Sequence, residues 1–158
     1  MKLVSKFTTG LIASIVALHV ATAAQLADKK ALTLEAAKQI SAAAEAEAVK
    51  NKWTVAIAIV DDGGRLVHFA KIDETQYGSI DVAIRKAQTA SAFKRSTKVF
   101  EDAIAGGRNA LLALDGALPL QGGLPIVADG RVIGGIGVSG VTSAQDELVA
   151  KAGLEGLK

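Results

Sequence analysis

The stretch from Asp129 to Leu148 restricts the fold more than any other part of the chain. Its sequence is D-G-R-V-I-G-G-I-G-V-S-G-V-T-S-A-Q-D-E-L. An Asp-Gly pair supplies the positive φ angles of a tight hairpin turn. The pattern therefore predicts a turn at Asp129-Gly130 and a strand from about Arg131 to Val138.

A helix start follows that strand. Thr142 with Gln145, or Ser143 with Asp146, has the spacing of a capping box, in which a side chain at each end of the first turn bonds the other's backbone. We expect the last helix to cover about residues 144–154. This segment alone thus predicts a hairpin, a strand and a helix.

The strand also matches the dinucleotide-binding fingerprint, with Gly135, Gly137 and Gly140 at the required spacing. That fingerprint needs its glycines to open a helix inside a parallel βαβ unit, and an acidic residue about 20 positions later. Only eighteen residues follow Gly140. We interpret the glycines as places where a helix or a neighbouring strand packs close to the backbone. Ser139 lacks the second spacer residue of a nucleophile elbow.

A second hairpin is predicted upstream, where residues 55–60 and 65–71 flank the turn sequence Asp61-Asp62-Gly63-Gly64. Strand alternation gives this hairpin two apolar faces, so we expect helices above and below the sheet. One face should carry Val55, Ile57, Ile59, Leu66, His68 and Ala70. The other should carry Ala56, Ala58, Val60, Val67 and Phe69.

Three helices precede the second hairpin in this interpretation. Thr33 caps a helix that runs to about Lys50, Ser79 caps a second helix, and Thr97 caps a short third helix that ends at Gly106-Gly107. Residues 108–125 predict an irregular helical turn followed by a loop or a short edge strand. The order is α-β-β-α-α-β-β-α, and the short hairpin connections make the sheet mainly antiparallel.

The first 24 residues are typical of a secretory signal peptide. Lys2 and Lys6 form a basic region, residues 11–20 an apolar run, and residues 21–23 a small-residue cleavage site. We expect cleavage after Ala23 or Ala24, a single domain over residues 25–158, and a periplasmic or secreted protein. The apolar run is shorter than the about 20 residues of a membrane span. No later segment qualifies either, so we expect no span after cleavage.

Composition excludes several classes of site. The chain has 18 basic and 16 acidic residues, and removing the two lysines of the signal peptide leaves 16 of each. A balanced chain without a basic stripe predicts no nucleic-acid partner. Absence of cysteine excludes disulfides and thiolate metal sites. The carboxylate spacing predicts no metal site built by one chain.

His68 and Tyr77 are the single histidine and the single tyrosine of residues 25–158. A serine–histidine–acid arrangement would have to use His68, but strand alternation predicts a packed or interface histidine there. We therefore assign no catalytic residue. The residues by themselves present no visible catalytic set.

Five ordered motifs resemble the GlcG/HbpS-type haem-binding family, which includes the C-terminal domain of PduO-type cobalamin adenosyltransferases. The motifs are L-T-L-E-A-A at 32–37, V-A-I-A-I-V-D-D-G-G-R-L-V at 55–67, S-I-D-V-A-I-R-K-A-Q-T-A-S-A-F at 79–93, G-G-L-P-I-V-A-D-G-R-V-I-G-G-I-G-V-S-G at 122–140 and Q-D-E-L-V-A-K-A-G at 145–153. The resemblance implies an α+β, profilin-like (GlcG-like) fold with a mainly antiparallel five-stranded sheet covered by helices on both faces. It also implies assembly into homodimers and octamers, and haem or a related tetrapyrrole as ligand in some members.

The resemblance places Lys94, Arg95 and Thr97 in the segment that lines the tetrapyrrole site of haem-binding members. Lys94 and Arg95 could pair with propionates, and Thr97 could be a weak oxygen ligand. His68 and Tyr77 are chemically stronger axial ligands, although His68 is not a motif residue of the family. The acidic E-x-x-E iron motif of one haem-binding branch is missing, which argues against iron storage.

Two other functions stay open at this point. One is an accessory or haem-degrading enzyme whose site lies at a subunit interface, since a small two-sided domain can build a site from two chains. The other is a non-catalytic structural or sensory partner protein. An exported, oligomeric haem- or tetrapyrrole-binding protein is the leading hypothesis.

Overall fold

Both predicted hairpins are present in the computed structural model, which describes residues 24–157. The first pairs β1 (Ala56–Asp61) with β2 (Leu66–Lys71), and the second pairs β3 (Gly123–Ala128) with β4 (Arg131–Ser139). The two hairpins join through β1 and β4, giving an antiparallel sheet in the order β2-β1-β4-β3. The predicted signal peptide lies almost wholly outside the described residues.

Four helices and one 3-10 turn complete the described chain. They are α1 (Leu34–Lys50), α2 (Gly78–Phe93), α3 (Lys98–Ala105), the 3-10 helix Asn109–Ala113 and α4 (Ser143–Glu155). The predicted element order and the antiparallel sheet are confirmed. None of the helices within residues 24–157 is both long and apolar enough to span a membrane.

The predicted fifth strand is wrong, because the sheet within residues 24–157 has four strands. Two backbone N–H groups of the segment between α3 and β3 donate to helix side chains instead of to a neighbouring strand. Leu118 N donates to the Thr89 hydroxyl on α2 at 2.8 Å, and Gln121 N donates to the Glu101 carboxylate on α3.

The predicted helix starts are confirmed at Thr33 and Thr142. The Thr33 hydroxyl accepts from Ala36 N, and Thr142 with Gln145 forms the capping box. The predicted cap at Ser79 is wrong, because α2 already begins at Gly78. The Ser79 hydroxyl instead bonds the side chains of Gln76 and Ser139.

One face of the sheet packs on α1 and α4. Its core is made of branched side chains, with Ile57 and Ile59 of β1 opposite Val138 and Ile136 of β4, all buried. The predicted placement of His68 and Ala70 on the same face as Ile57 and Ile59 is confirmed, since His68 lies opposite Ile59 and Ala70 opposite Ile57.

The predicted placement of Leu66 and Val67 is wrong. A register shift between Ile59 and Val60 sets Leu66 opposite Val60, and Val67 packs on the isoleucine face. An extra residue in one strand reverses the alternation beyond it, and the period of two in the sequence does not reveal where such a bulge falls.

The other face packs on α2. It is lined by Ala56, Ala58 and Val60 of β1 and by Gly135 and Gly137 of β4. A Cβ at Gly137 would lie 2.1 Å from Ala83 O, and one at Gly135 would lie 2.3 Å from Ala87 O, both backbone atoms of α2. The interpretation of these glycines as close-packing positions is confirmed.

Candidate functional site

A buried ion pair lies beneath α2. Lys86 Nζ is 2.8 Å from Asp146 Oδ2 and donates to Val138 O at 2.9 Å, and both charged side chains are about 97 % buried or more. Burial raises the pKa of Asp146, and the hydrogen bond from Lys86 only partly offsets that rise. Asp146 Oδ1 also accepts from Val141 N. The pair therefore ties α2 to β4 and to the start of α4.

The sequence motifs do not predict this pair, because Asp146 has the spacing of a capping residue and its partner lies on another helix. The available signal was the position of Lys86, three residues after Ala83 and four before Ala90 on the buried face of a helix. A charge at such a position needs a partner, but α4 lies 60 residues away in the chain.

Lys94 and Arg95 stand at the corner between α2 and α3. Lys94 ends α2 in the left-handed conformation, with φ 55° and ψ 38°, which L residues rarely adopt. Because the chain changes direction at this left-handed residue, the side chains of Lys94 and Arg95 line different cavities. Lys94 lines a cavity beside the hairpin turns, and Arg95 lines a cleft beside α3.

The cleft beside α3, called the α3 cleft below, combines aromatic and aliphatic walls with two guanidinium groups. Its volume is about 270 Å³. Its lining residues are Phe93, Arg95, Val99, Phe100, Ala103, Arg108, Leu111 and Leu114.

The aromatic wall of the α3 cleft is ordered by direct contacts. Phe93 and Phe100 meet edge to face, with ring centroids 5.4 Å apart, an arrangement that aromatic pairs prefer. The Arg95 guanidinium lies 5.9 Å from the Phe100 centroid, and Arg95 Nε donates to Phe93 O. Arg95 is therefore held at the cleft by the Phe100 ring and by the backbone carbonyl of Phe93.

Thr97 is buried and joins α3 to β3. Its hydroxyl accepts from Gly123 N at 2.9 Å, and its backbone N donates to Gly123 O at 3.0 Å. A Cβ at Gly123 would lie 2.6 Å from the Thr97 methyl group. In this arrangement the Thr97 hydroxyl stabilises the fold. It would have to lose its hydrogen bond from Gly123 N before it could coordinate a ligand.

Neither His68 nor Tyr77 lines the α3 cleft. His68 is half-buried on the edge strand β2. Tyr77 precedes α2 and is 84 % exposed, with Lys71 Nζ 5.8 Å from its ring centroid. The 16 residues of α2 separate Tyr77 from Lys94 by about 24 Å at 1.5 Å per residue. One chain thus brings Lys94, Arg95 and Thr97 to one corner and leaves Tyr77 at the far end of α2.

Comparison with known proteins identifies the family. The family model described as "Haem degrading protein HbpS-like" matches residues 32–155, which is most of the chain. The chain belongs to the HbpS-like family. Protein GlcG of Escherichia coli K12 is 42 % identical to it over 111 residues, which are 70 % of this chain and 83 % of GlcG.

Solved structures of HbpS-like proteins share the fold. A double mutant of Streptomyces reticuli HbpS matches with a TM-score of 0.78 and 33 % identity, covering 92 % of this chain and 99 % of that chain. A complex of PduOC with haem matches with a TM-score of 0.74 and 28 % identity, covering 80 % of this chain and 95 % of that chain. The predicted resemblance and the α+β fold class are therefore confirmed.

Proposed function

We propose that this HbpS-like protein binds haem or a related tetrapyrrole, with the α3 cleft as its part of the site. The observation that carries the proposal is the combination of two phenylalanines in edge-to-face contact with two arginines in one cleft. A tetrapyrrole has the matching chemistry, since it joins a flat apolar macrocycle to carboxylate side chains. The PduOC relative solved with haem supports the same ligand class.

The residues of the cleft fit such a group. Phe93, Phe100 and Leu111 would contact the macrocycle, and Arg95 and Arg108 would pair with its propionates through charge-assisted hydrogen bonds. A bound haem would supply its iron for ligand binding or redox chemistry. The chain's own residues would hold and orient the group and exclude water from its apolar faces.

The cleft of one chain would be completed by a second chain. Its volume of about 270 Å³ falls below the roughly 300–1,000 Å³ typical of pockets for drug-sized ligands. Val99, Leu112 and Leu114, beside or within the cleft, are exposed apolar side chains, which assembly would cover. We therefore include a homodimer, or a larger assembly up to an octamer, in the proposal. A monomer in sedimentation at micromolar concentrations would remove this part.

A second chain could also supply the axial ligand. The lining of the α3 cleft contains no histidine, tyrosine, methionine or lysine, and Thr97 Oγ1 is bonded to Gly123. His68 and Tyr77 are the stronger candidates by chemistry, and the length of α2 separates Tyr77 from the cleft of its own chain. Spectra of haem-loaded His68→Ala and Tyr77→Phe would test each as a ligand.

Titration of the purified protein with haemin tests the proposal. We expect a shifted Soret band at micromolar haemin. We expect Arg95→Gln and Arg108→Gln each to weaken binding about tenfold or more, because a hydrogen bond to a charged group contributes about 1.5–3 kcal/mol. Arg85→Gln, an exposed arginine on α2 outside the cleft, is the matched control and should bind as the parent protein does. Absence of a Soret shift would remove the proposal.

Haem degradation is the second candidate, favoured by the description of the family model. It would be seen as loss of the Soret band when the loaded protein is given ascorbate in air, beyond the loss shown by free haemin. Turnover that survives combined replacement of His68, Tyr77, Arg95 and Thr97 would place the activity elsewhere.

Export is also part of the proposal. The basic, apolar and small-residue regions of residues 1–24 support it, and it would place the protein in the periplasm or outside the cell. Mass spectrometry of the N-terminus of the exported protein is the test, with Ala24 or Gln25 expected as the first residue.

A further inference from the structure

A second cavity lies on the other side of the α2–α3 corner, with a volume of about 730 Å³. This volume is within the range of pockets that hold small ligands. We call it the strap cavity. Its lining residues are Lys29, Asp62, Ser91, Lys94, Val127, Gly130, Arg131 and Val132.

The segment before α1 forms one wall of the strap cavity and is fixed to both hairpin turns. Lys29 pairs with Asp62 in the β1–β2 turn, and Lys30 pairs with Asp129 in the β3–β4 turn at 2.9 Å. Arg131 Nη1 donates to the backbone carbonyl of Asp28 at 2.8 Å. Polar contacts to both turns therefore hold residues 28–30 along the rim of the cavity.

The lining carries three cationic groups and one carboxylate. Lys29 neutralises Asp62, and Lys94 forms no ion pair with any residue of the described part of the chain. Arg131 uses one N–H on Asp28, which leaves most of its five donors for other acceptors. Two positive charges thus remain for a ligand.

The cavity also has apolar surface beside these charges. Val127 is 52 % exposed, and Val132 is half-buried on the neighbouring strand of the same hairpin. An inorganic anion would use the cations and leave the valines in water. A carboxylate with a short apolar chain would use both.

We propose that the strap cavity binds a small organic anion, a carboxylate with a short apolar chain. Arg131 holds the carboxylate through its planar fork, which matches carboxylate geometry, and Lys94 adds a second positive charge. Val127 and Val132 contact the apolar chain. The site is separate from the α3 cleft, since neighbouring residues Lys94 and Arg95 line different cavities.

Isothermal titration of the purified protein with butyrate, acetate and inorganic phosphate at matched ionic strength tests the proposal. We expect millimolar binding of butyrate, weaker binding of acetate, and about tenfold weaker butyrate binding in Lys94→Gln and in Arg131→Gln. The control Lys38→Gln, an exposed lysine on α1, should bind as the parent protein does. Val127→Thr should weaken butyrate binding and leave acetate binding unchanged. Circular dichroism and the melting temperature of each unliganded variant establish that it is folded.

Three results would overturn the proposal. The first is no butyrate binding at tens of millimolar. The second is phosphate binding as tight as butyrate binding, which would make the site a general anion site. The third is displacement of butyrate by haemin together with loss of haemin binding in Arg131→Gln, which would make the cavity part of the tetrapyrrole site.

Discussion

On one face of the sheet, α2 lies against glycine and alanine, and on the other face α1 and α4 lie against isoleucine and valine. The first contact brings helix and strand backbones together, with Gly135 and Gly137 leaving no room for a methyl group. The second contact fills a thicker layer with branched side chains such as Ile57 and Ile136. An added methyl group should therefore destabilise the α2 face strongly, whereas loss of a methylene from the isoleucine face should cost little stability.

The α2 face also contains a buried ion pair. Lys86 lies between the buried Ala83 and Ala87 on α2 and pairs with Asp146 at the start of α4. A buried ion pair is costly to desolvate, and removing one partner leaves an uncompensated charge. On this face, both added volume and a lost charge should be poorly tolerated, whereas loss of a methylene on the other face should be mild.

Lys86→Met should have the largest effect. Methionine retains most of the apolar stem, but Asp146 and Val138 O lose their shared donor. We expect the free energy of unfolding to fall by about 3–5 kcal/mol, measured by urea denaturation. The double variant Lys86→Met/Asp146→Asn should recover part of the loss, because asparagine removes the buried charge and keeps an acceptor for Val141 N. Lys98→Met, which breaks an exposed pair with Asp102, should have a far smaller effect.

The pH dependence of the unfolding free energy of Lys86→Met distinguishes the cost of an unpaired buried charge from the cost of lost packing. Burial raises the pKa of Asp146, and removal of Lys86 should raise it further. A carboxyl whose pKa is higher in the folded than in the unfolded chain binds more protons when folded, so stability increases as pH falls toward the unfolded value of about 3.9. The cost of Lys86→Met should therefore be smaller near pH 4.5 than at pH 7. An equal cost at both pH values would assign the loss to packing.

Gly137→Ala should have the second largest effect. The new methyl group would lie 2.1 Å from the backbone oxygen of Ala83, so α2 would have to move away from the sheet. We expect a loss of about 3 kcal/mol, the upper end of the usual cost of overpacking, measured in the same denaturation assay. Gly78→Ala is the matched control, because a Cβ there meets nothing within 4 Å, and its stability should be unchanged or slightly higher. A Gly137→Ala variant as stable as its control would refute the close contact.

Ile57→Val tests the isoleucine face and should have the smallest effect. Ile57 is fully buried, and loss of one methylene typically costs about 0.5–1.5 kcal/mol. We expect a reduced urea midpoint and an unchanged denaturant slope. A loss as large as that of Gly137→Ala would remove the contrast between the two faces.

Local signals explain what could be predicted of the fold. The Asp-Gly turn at Asp129-Gly130 and the capping box at Thr142 and Gln145 depend on neighbouring residues, and both are present in the structure. The cap at Ser79 failed although the local pattern was good. Its hydroxyl lies within reach of Ser139 on β4, and this long-range contact is invisible in the pattern around residue 79.

The candidate site was predictable only in part. The family motifs pointed to Lys94, Arg95 and Thr97, and these residues do lie at one corner of the fold. Arg108 was not identified, because it lies in a segment without periodic pattern and reaches the α3 cleft only through the turn that follows α3. The division between Lys94 and Arg95 depends on one left-handed residue, and a lysine gives no sequence signal for that conformation.

Sequence motifs and local signals were enough to predict the helices, the two hairpins, the antiparallel pairing and the family, because turn chemistry, capping and strand alternation act over a few residues. Long-range packing set the bulge between Ile59 and Val60, the Lys86–Asp146 pair and the two cavities on either side of the α2–α3 corner. Each of these depends on which distant surfaces meet, and the residues around any one position do not reveal that contact: Lys86 and Asp146, for example, are 60 residues apart in the chain.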